Sequence, residues 1–527
     1  MNRNVSVSLM LSVIFFGADM NCYAYDVLPV IKTNELKKIG VTDKHYQSYN
    51  IEMIELTGGW FWKPYGEKGY KPSPDTGKNI PQGMNPDAYQ YIPPINLNNK
   101  KLIALAKALS PAYIRVSGTW ANSTYFSPDG KMTTPPHGFN NVLTGEQWAS
   151  LVNFSNTVGS PIITSFATSD GTRGKDRLWT SSQAKEFIQF NKKIGGNIVA
   201  AEFMNEPSLA EMGGAFKNYS ATDYANDFSV FYSFMRKNAP DIKILGPGSV
   251  GENVGGWSIY YGNSNFIKTP DMMKNIGANK FDAFSYHHYG AVSQRCYVKG
   301  HEDTQTYPED AMSNQWLKRT DDSFNFYKKL RDKYSPGKPI WVTETGESAC
   351  GGNPWAGTFL DTFRYTDQLG RLARKGVSIV AHNTLAVSDY SLLDEKNYNP
   401  KPDYWAALLW SKLMGNVVLN APSINPDLHF YAQCLKNTPG GVALLALNIN
   451  NNNAFSVNLD KPVDIYRLSA DGNINKSSVL LNGNKLQLTS DNKIPNLLPI
   501  RKDGRVIISA KSIVFMSVKN AHNPYCY

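Results

Sequence analysis

Five cysteines in 527 residues are too few for a scaffold held together by disulfides. No CxxC and no Cys/His pair at ligand spacing occurs, which speaks against a metal site of the zinc type. The 41 glycines and 30 prolines follow no regular period, so collagen and a long coiled coil are ruled out. Beyond the N-terminus, no apolar stretch approaches the length of a membrane span. Nor is there a dense basic stripe interleaved with aromatics, which argues against nucleic acid as a partner. Charge is sparse at 19%, whereas 42% of residues are hydrophobic and 12% aromatic. That is ample apolar surface to offset chain entropy, and the composition is that of a large globular protein.

The N-terminus carries Arg3 and then an apolar run from Val5 to Ala18. The run is too short for a comfortable span, small residues follow it, and cleavage after Ala24 fits a secretory signal peptide over residues 1–24. The expectation is a secreted or periplasmic protein. Removing that segment takes away one charge of each sign and leaves the formal net charge of +10. A basic exported protein suits an acidic partner such as a sulfated or uronic polysaccharide, although solubility explains the same charge. Removal of Cys22 leaves Cys296, Cys350, Cys434 and Cys526, an even number that allows two disulfides in any of three connectivities.

Short β-branched runs recur, each followed by a helical pattern. The expected strands are Tyr49–Leu56, Ala112–Thr119, Pro161–Thr168, Asn197–Asn205, Lys243–Ser249, Phe281–Tyr289, Pro339–Thr345 and Val377–Leu385. Amphipathic stretches such as 98–109, 144–159 and 181–195 lie between them. Thr144 with Gln147 reads as a capping box, and Ser181 as a cap of the next helix. Eight strands alternating with helices predict an α/β fold, a (β/α)8 (TIM) barrel over residues 46–415, with a doubly wound open sheet as the competitor. After Gly415 the texture changes to closely spaced strands (VVLNAP, HFYAQCL, GVALLALNIN, VDIYRLSA, KLQLTS and RVIISAKSIVFMSV). This predicts an antiparallel β-sandwich over 416–527, onto which residues 25–45 could pair.

In a barrel, chemistry gathers at the C-terminal ends of strands. The fourth strand ends in AEFMNEP and the seventh in PIWVTETGE, which brings Asn205, Glu206 and Glu344 to the mouth. Two carboxylates across a cleft suit glycoside hydrolysis, one protonating the leaving oxygen while the other attacks or activates water. Glu347 lies beyond the strand and ranks lower than Glu344, and Glu202 reads as structural. In SYHHY the side chains alternate faces, so only one of His287 and His288 points inward, and adjacent strand residues chelate a metal poorly. No cofactor and no metal is expected.

LSPAYIRVSGTWANSTYFSP (109–128), EFMNEPS (202–208), SYHHY (285–289), WVTET (341–345) and PDYWAALLWSKLMG (402–415) together resemble glycoside hydrolase family 79, the family of heparanases and β-glucuronidases. The resemblance runs from about residue 48 to the C-terminus. It implies a barrel with a flanking β-sandwich, retaining chemistry and a β-linked glucuronic acid substrate. By the same resemblance Glu206 is the acid/base and Glu344 the nucleophile. Asn205 bonds the sugar 2-OH, and Thr119, His287 and Tyr289 belong to the site. Tyr390 and Ser388 lie in the uronate-recognition segment LAVSDYSLLD, where the family often has Gly in place of Ser388. Glu52 aligns with an acidic residue of the family, against the alternative of a barrel-interior residue paired with Lys or Arg. Cys434–Cys526 falls where the family staples its sandwich, and Cys296–Cys350 joins the loops after strands six and seven. The segment 129–144 is short where mammalian heparanases carry an excised linker, so a single chain, a monomer, is expected. The positive charge favours an endo-β-glucuronidase on heparan sulfate, with Arg173, Lys175, Arg177 and Arg295 as sulfate contacts. The alternatives are an exo-β-glucuronidase and a non-catalytic carbohydrate-binding protein on a barrel scaffold.

Overall fold

The computed structural model describes residues 26–65, 80–81, 84–252, 265–423 and 425–527. The signal peptide, with its cleavage point after Ala24, lies outside the described residues. Eight strands close into a parallel barrel: β1 (Gln47–Glu52), β2 (Ile114–Ser117), β3 (Ile162–Ser165), β4 (Ile198–Glu202), β5 (Lys243–Ser249), β6 (Ala283–Tyr289), β7 (Ile340–Gly346) and β8 (Val377–His382). They follow one another in order round the ring, with β8 pairing β1 through Val380↔Gln47. Helices alternate with them as the sequence pattern predicted. Thr144 and Gln147 form a reciprocal capping box at the start of Gly145–Val158, satisfying two of the orphan donors there. Ser181 makes no such side-chain bond at Ser182–Lys193. The expected first strand is shorter than its apolar run. After Glu52 the chain turns into a helix, Met53–Thr57, with Glu52 as its cap and the Glu55 carboxylate accepting from the Glu52 N–H at 2.9 Å.

The barrel interior is layered. At the bottom, Tyr113, Ile163, Ala200, Leu245, Ala283, Trp341 and Ile379 form a closed apolar plug. Two residues further along the strands, side chains of the same face become polar: Arg115, Glu202, Ser285 and Thr343. The barrel therefore opens only at the C-terminal ends of its strands.

The second domain packs a nine-stranded sheet against a three-stranded one. The large sheet contains Met414–Leu419, Leu428–Leu435, Val442–Asn448, Ser512–Val518 and Val463–Ala470, and the N-terminal strand Lys38–Val41 adds to its edge beside Met414–Leu419. In the small sheet Asp26–Ile31 runs parallel to Phe455–Leu459, which pairs in turn with Arg505–Ile508. Of KLQLTS, only Lys485 joins a strand, Asn484–Lys485. The barrel helix Phe359–Arg374 meets this domain at a polar knot. Buried Asp367 accepts from His429 Nδ1 at 2.6 Å, from the Tyr431 hydroxyl at 2.5 Å and from Arg371. Gly370 lies under the Tyr431 ring, where a Cβ would come within 2.4 Å of a ring carbon. Cys434 and Cys526 are bonded within the sandwich, and Cys296 and Cys350 are bonded between the loops after β6 and β7. Such bonds persist in oxidising compartments. Among the described residues, no helix is long and apolar enough to cross a membrane.

Candidate active site

Arg115 on β2 organises the mouth of the barrel. Its guanidinium is fully buried and donates to Glu202 at 2.9 and 3.1 Å, to Glu344 Oε2 at 2.7 Å and to Asn205 Oδ1 at 2.8 Å, and its Nη2 lies 3.1 Å from His287 Nε2. A buried cation needs anionic partners at hydrogen-bond distance, and here one arginine fork supplies donors to both β4 and β7. Glu202 is further held by Ser285 and Thr343, each at 2.7 Å, and it serves the structure as the sequence suggested.

Glu344 owes its position to a break in strand register. Trp341 and Thr343 face into the barrel, so strict alternation would turn residue 344 outward. The register of β7 against β8 shifts between Val342 and Thr345, and Glu344 also faces inward while Thr345 bonds outward to Gln368. Besides the Arg115 bond, Glu344 accepts from the Tyr289 hydroxyl at 2.7 Å. On β6 alternation holds. Ser285, His287 and Tyr289 point inward, whereas Tyr286 stacks on Tyr327 and His288 bonds Ser323 on the outer helix Arg319–Tyr334.

Glu206 lies four residues beyond β4, at φ 45° and ψ 64°. A left-handed backbone at a glutamate costs on the order of 1–3 kcal/mol, and the surrounding bonds hold it. Asn122 bonds both the N–H and the carbonyl of Asn205, each at 2.8 Å, so the turn Thr119–Ser123 is fastened to the segment that carries Glu206. His287 Nδ1 lies 3.0 Å from Glu206 Oε1. Since a guanidinium only donates, His287 Nε2 is the acceptor toward Arg115, and Nδ1 carries the proton donated to Glu206. Burial and then the charge of Arg115 push the His287 pKa well below its ordinary value, in keeping with a neutral ring. Burial pushes the Glu206 pKa well above the usual carboxylate range, and the nearby Glu344 charge adds to the rise against the opposing pull of Arg115.

Glu52 ends β1 beside these groups. It has no cationic hydrogen-bond partner: Asn383 Nδ2 donates to its Oε1 at 2.9 Å, and its Oε2 is buried without a partner. Burial, reinforced by Glu344, raises its pKa to about 8. The alternative of a Lys or Arg partner for Glu52 gives way to a network around Asn383, whose Nδ2 also lies 3.0 Å from the hydroxyls of Tyr289 and Tyr390. Gly118 makes room for Glu52. It sits at φ 91°, and a Cβ there would lie 1.4 Å from Glu52 Oε2.

Glu52, Thr119, Glu206, Tyr289, Glu344 and Tyr390 line one pocket, with Asn205 and His287 bonded behind it. Ser388 is apart from that lining. At φ 92° its hydroxyl turns toward the Gly351 carbonyl at 3.4 Å, and half-buried Lys401 clamps its carbonyl at 3.0 Å. Glu347 is consumed by Ser348 and Asn353. Two of the four arginine and lysine positions expected to meet sulfate are paired elsewhere, Arg173 with Asp227 at 2.7 Å and Arg295 with Asp389 at 2.6 Å. One atom each of Glu206, His287 and Glu344 lie within 4.8 Å of one another, a set that could ligate a cation. In this chain their facing atoms are already bonded to Arg115, Tyr289 and each other. A larger cleft, about 550 Å³, lies where barrel meets sandwich and is lined by Lys44, Lys436 and Tyr525, with no pair of carboxylates.

Arg115, Asn122 and Asn383 were not recognised in the sequence. Arg115 had a signal, a lone charge inside the apolar run AYIRVSG, whereas Asn122 and Asn383 had none.

A closed parallel barrel whose mouth brings Glu206, beyond the end of β4, and Glu344, on β7, into one pocket is the arrangement of a glycoside hydrolase. Residues 88–370 match the model of "Glycosyl hydrolase family 79, N-terminal domain", and the chain belongs to that family. It is 27% identical over 497 residues to heparanase of Mus musculus, covering 82% of this chain and 88% of that one. Its identity to the hyaluronoglucuronidase of Hirudo nipponia is 26% over 480 residues, covering 82% and 92%. In fold it resembles a GH51 arabinofuranosidase from Xanthomonas axonopodis pv. citri, with a TM-score of 0.58 at 16% identity, covering 91% of this chain and 97% of that structure.

Proposed function

We propose that this protein is a retaining β-glucuronidase that cleaves β-linked glucuronic acid within a glycosaminoglycan-type polysaccharide. The observation that carries the reading is the closeness and inequality of two carboxyls. Glu206 and Glu344 have atoms within 4.8 Å of each other. Retaining enzymes hold their carboxyls about 5–5.5 Å apart, whereas inverting ones leave about 6.5–9.5 Å for a water. Glu344, with a guanidinium and a phenol donating to it, is the anion that attacks the anomeric carbon. Glu206, its pKa raised by desolvation and by the Glu344 charge, gives its proton to the leaving oxygen and then takes one from water as the glycosyl-enzyme is hydrolysed.

The supporting groups have distinct tasks. His287 directs its N–H at Glu206 Oε1, which leaves Oε2 to carry the mobile proton. Asn205 commits its Oδ1 to Arg115 and to the Gly118 N–H, which leaves its amide NH2 as the donor for the sugar 2-OH. Tyr390 and Glu52 supply further hydrogen bonds to the sugar. The names of the mouse and leech relatives support a glycosaminoglycan substrate.

The test is to follow hydrolysis of an aryl β-glucuronide by proton NMR and to size the products from a glucuronic-acid polymer. The β-anomer of glucuronic acid is expected first. Initial release of the α-anomer would refute retention. Intermediate oligosaccharides identify endo action and free glucuronic acid exo action. A folded protein that binds the polymer without hydrolysing either substrate would be a carbohydrate-binding protein instead.

A further inference from the structure

Asn383 is the first residue beyond β8, and it is buried. Its N–H donates to the carbonyl of Thr345, the neighbour of Glu344, at 2.8 Å. Two residues on, the Leu385 N–H donates to the Asn50 carbonyl of β1, also at 2.8 Å. The backbone is thus fastened to β7 on one side and to β1 on the other. From there the side-chain amide meets Glu52 of β1, Tyr289 of β6 and Tyr390 of the loop after β8. Its Nδ2 lies 2.9 Å from Glu52 Oε1 and 3.0 Å from each of the two hydroxyls. These three partners line the pocket, and Asn383 stands behind them.

An amide nitrogen only donates, so a hydroxyl beside it cannot spend its own hydrogen there. Tyr289 accordingly turns its hydrogen to Glu344 Oε1, 2.7 Å away, and offers Asn383 a lone pair. A hydroxyl that accepts one hydrogen bond becomes a stronger donor of the next, so the chain from Asn383 through Tyr289 ends on the nucleophile. Tyr390 likewise keeps its hydrogen for another acceptor, and Glu52 presents Oε1 as an acceptor. Turned over, the amide would set an oxygen against the Tyr289 oxygen, whose hydrogen is committed to Glu344. The observed orientation leaves Asn383 Oδ1 buried without a partner. Burying an unpaired carbonyl oxygen is unfavourable, and the contacts of Nδ2 offset it.

We infer that Asn383 is a positioning residue of the reaction, a donor-only hub that aims the Tyr289 hydroxyl at Glu344 and holds Glu52 and Tyr390 for the sugar. It acts through these three side chains rather than on the substrate itself. This deepens the β-glucuronidase reading and rests on it. The branch through Tyr289 governs the attack of Glu344, and the branches to Glu52 and Tyr390 govern binding of the sugar.

The experiment is a double-mutant cycle of Asn383→Leu with Tyr289→Phe, followed on 2,4-dinitrophenyl β-glucuronide, whose leaving group needs no acid. Leucine keeps the volume of asparagine and removes its donors. Asn383→Leu alone is expected to slow formation of the glycosyl-enzyme by about tenfold or more, a smaller loss than that of a direct donor to the reacting atoms. In the Tyr289→Phe background the same substitution should slow it by less than about threefold, because the branch it acts through is already gone. The KM should rise in both backgrounds through Glu52 and Tyr390, and an unchanged KM would overturn the part assigned to them. A merely structural role slows the reaction equally in both backgrounds, and that result overturns the inference. The crystal structure of the Asn383→Ala variant is determined in parallel, which needs no turnover. If the Tyr289 hydroxyl leaves Glu344 there while the wild type hydrolyses no glucuronide, the coupling of Asn383 to Glu344 stands and the β-glucuronidase reading falls. A Tyr289–Glu344 contact unchanged in that variant overturns the inference whatever the kinetics show.

Discussion

Replacing Glu206 by Gln removes a proton donor while preserving shape and the acceptor for the His287 N–H. A positioned general acid contributes on the order of 10²–10⁴ in rate. At about 1.36 kcal/mol per decade this is roughly 3–5 kcal/mol of barrier. The structure sets where that loss appears. Burial and the Glu344 charge keep Glu206 protonated above the ordinary carboxylate range, so in the wild type kcat/KM falls at the alkaline side as this proton is lost. In Glu206→Gln that limb disappears. Hydrolysis of a methylumbelliferyl β-glucuronide, whose leaving group needs some protonation, should fall within the stated range. With 2,4-dinitrophenyl β-glucuronide, which needs no acid, formation of the glycosyl-enzyme should stay within a few-fold of wild type and its breakdown should become limiting. Azide, which requires no general base, should then restore turnover and yield a β-glucuronyl azide. Equal slowing of both substrates with no azide effect would refute the assignment of Glu206 as the acid/base.

Arg115→Met leaves Glu202 and Glu344 buried without their cation, and breaking such a pair costs about 3–5 kcal/mol. Chemical denaturation should register that loss, while Arg115→Lys should recover part of the stability and little of the kcat. Gly118→Ala forces a methyl into the space of Glu52 Oε2 at a φ of 91°, so kcat/KM should drop at least tenfold even where the melting temperature holds. The knot at the domain junction predicts an acid limit to stability. Asp367 is depressed to about 2 by His429 and Arg371 against the opposing effect of burial. Its contribution, about 2 kcal/mol, is therefore complete above the unfolded value near 3.8 and is lost as the pH falls toward 2. Asp367→Asn should lower the melting temperature at pH 7 and flatten that acid dependence, as read by calorimetry across pH 2–6.

Much of the barrel was legible because alternation of short β-branched runs with amphipathic helices is a local property. All eight strands fall within their expected segments, to which β7 adds Gly346 and β1 adds Gln47 and Ser48. The exception is instructive: MIEL after Glu52 reads equally as strand or helix, and the Glu52–Glu55 capping box decides for helix. Asn205, Glu206 and Glu344 stood out because carboxylates at strand ends on two sides of one ring are a pattern visible in one dimension. The proton state of each group was not visible. It depends on which charges share the buried volume, and Arg115, Glu52 and Glu344 are brought together from strands far apart in sequence. The place of Ser388 in the site was legible only through the family resemblance, and the direction of its hydroxyl, toward the Gly351 carbonyl on a left-handed backbone that Lys401 fastens, was not.

The sequence by itself determined the alternating elements, the barrel class with its sandwich, and the glutamates that stand at the mouth. Only the tertiary structure decided that a register shift on β7 turns Glu344 inward, that one arginine joins β4 and β7, and that Trp62 and Trp120 line the same pocket as the glutamates. These are outcomes of packing between distant segments. Local propensity sets what each strand is, but the direction of a side chain and the charge it bears depend on its neighbours across the barrel.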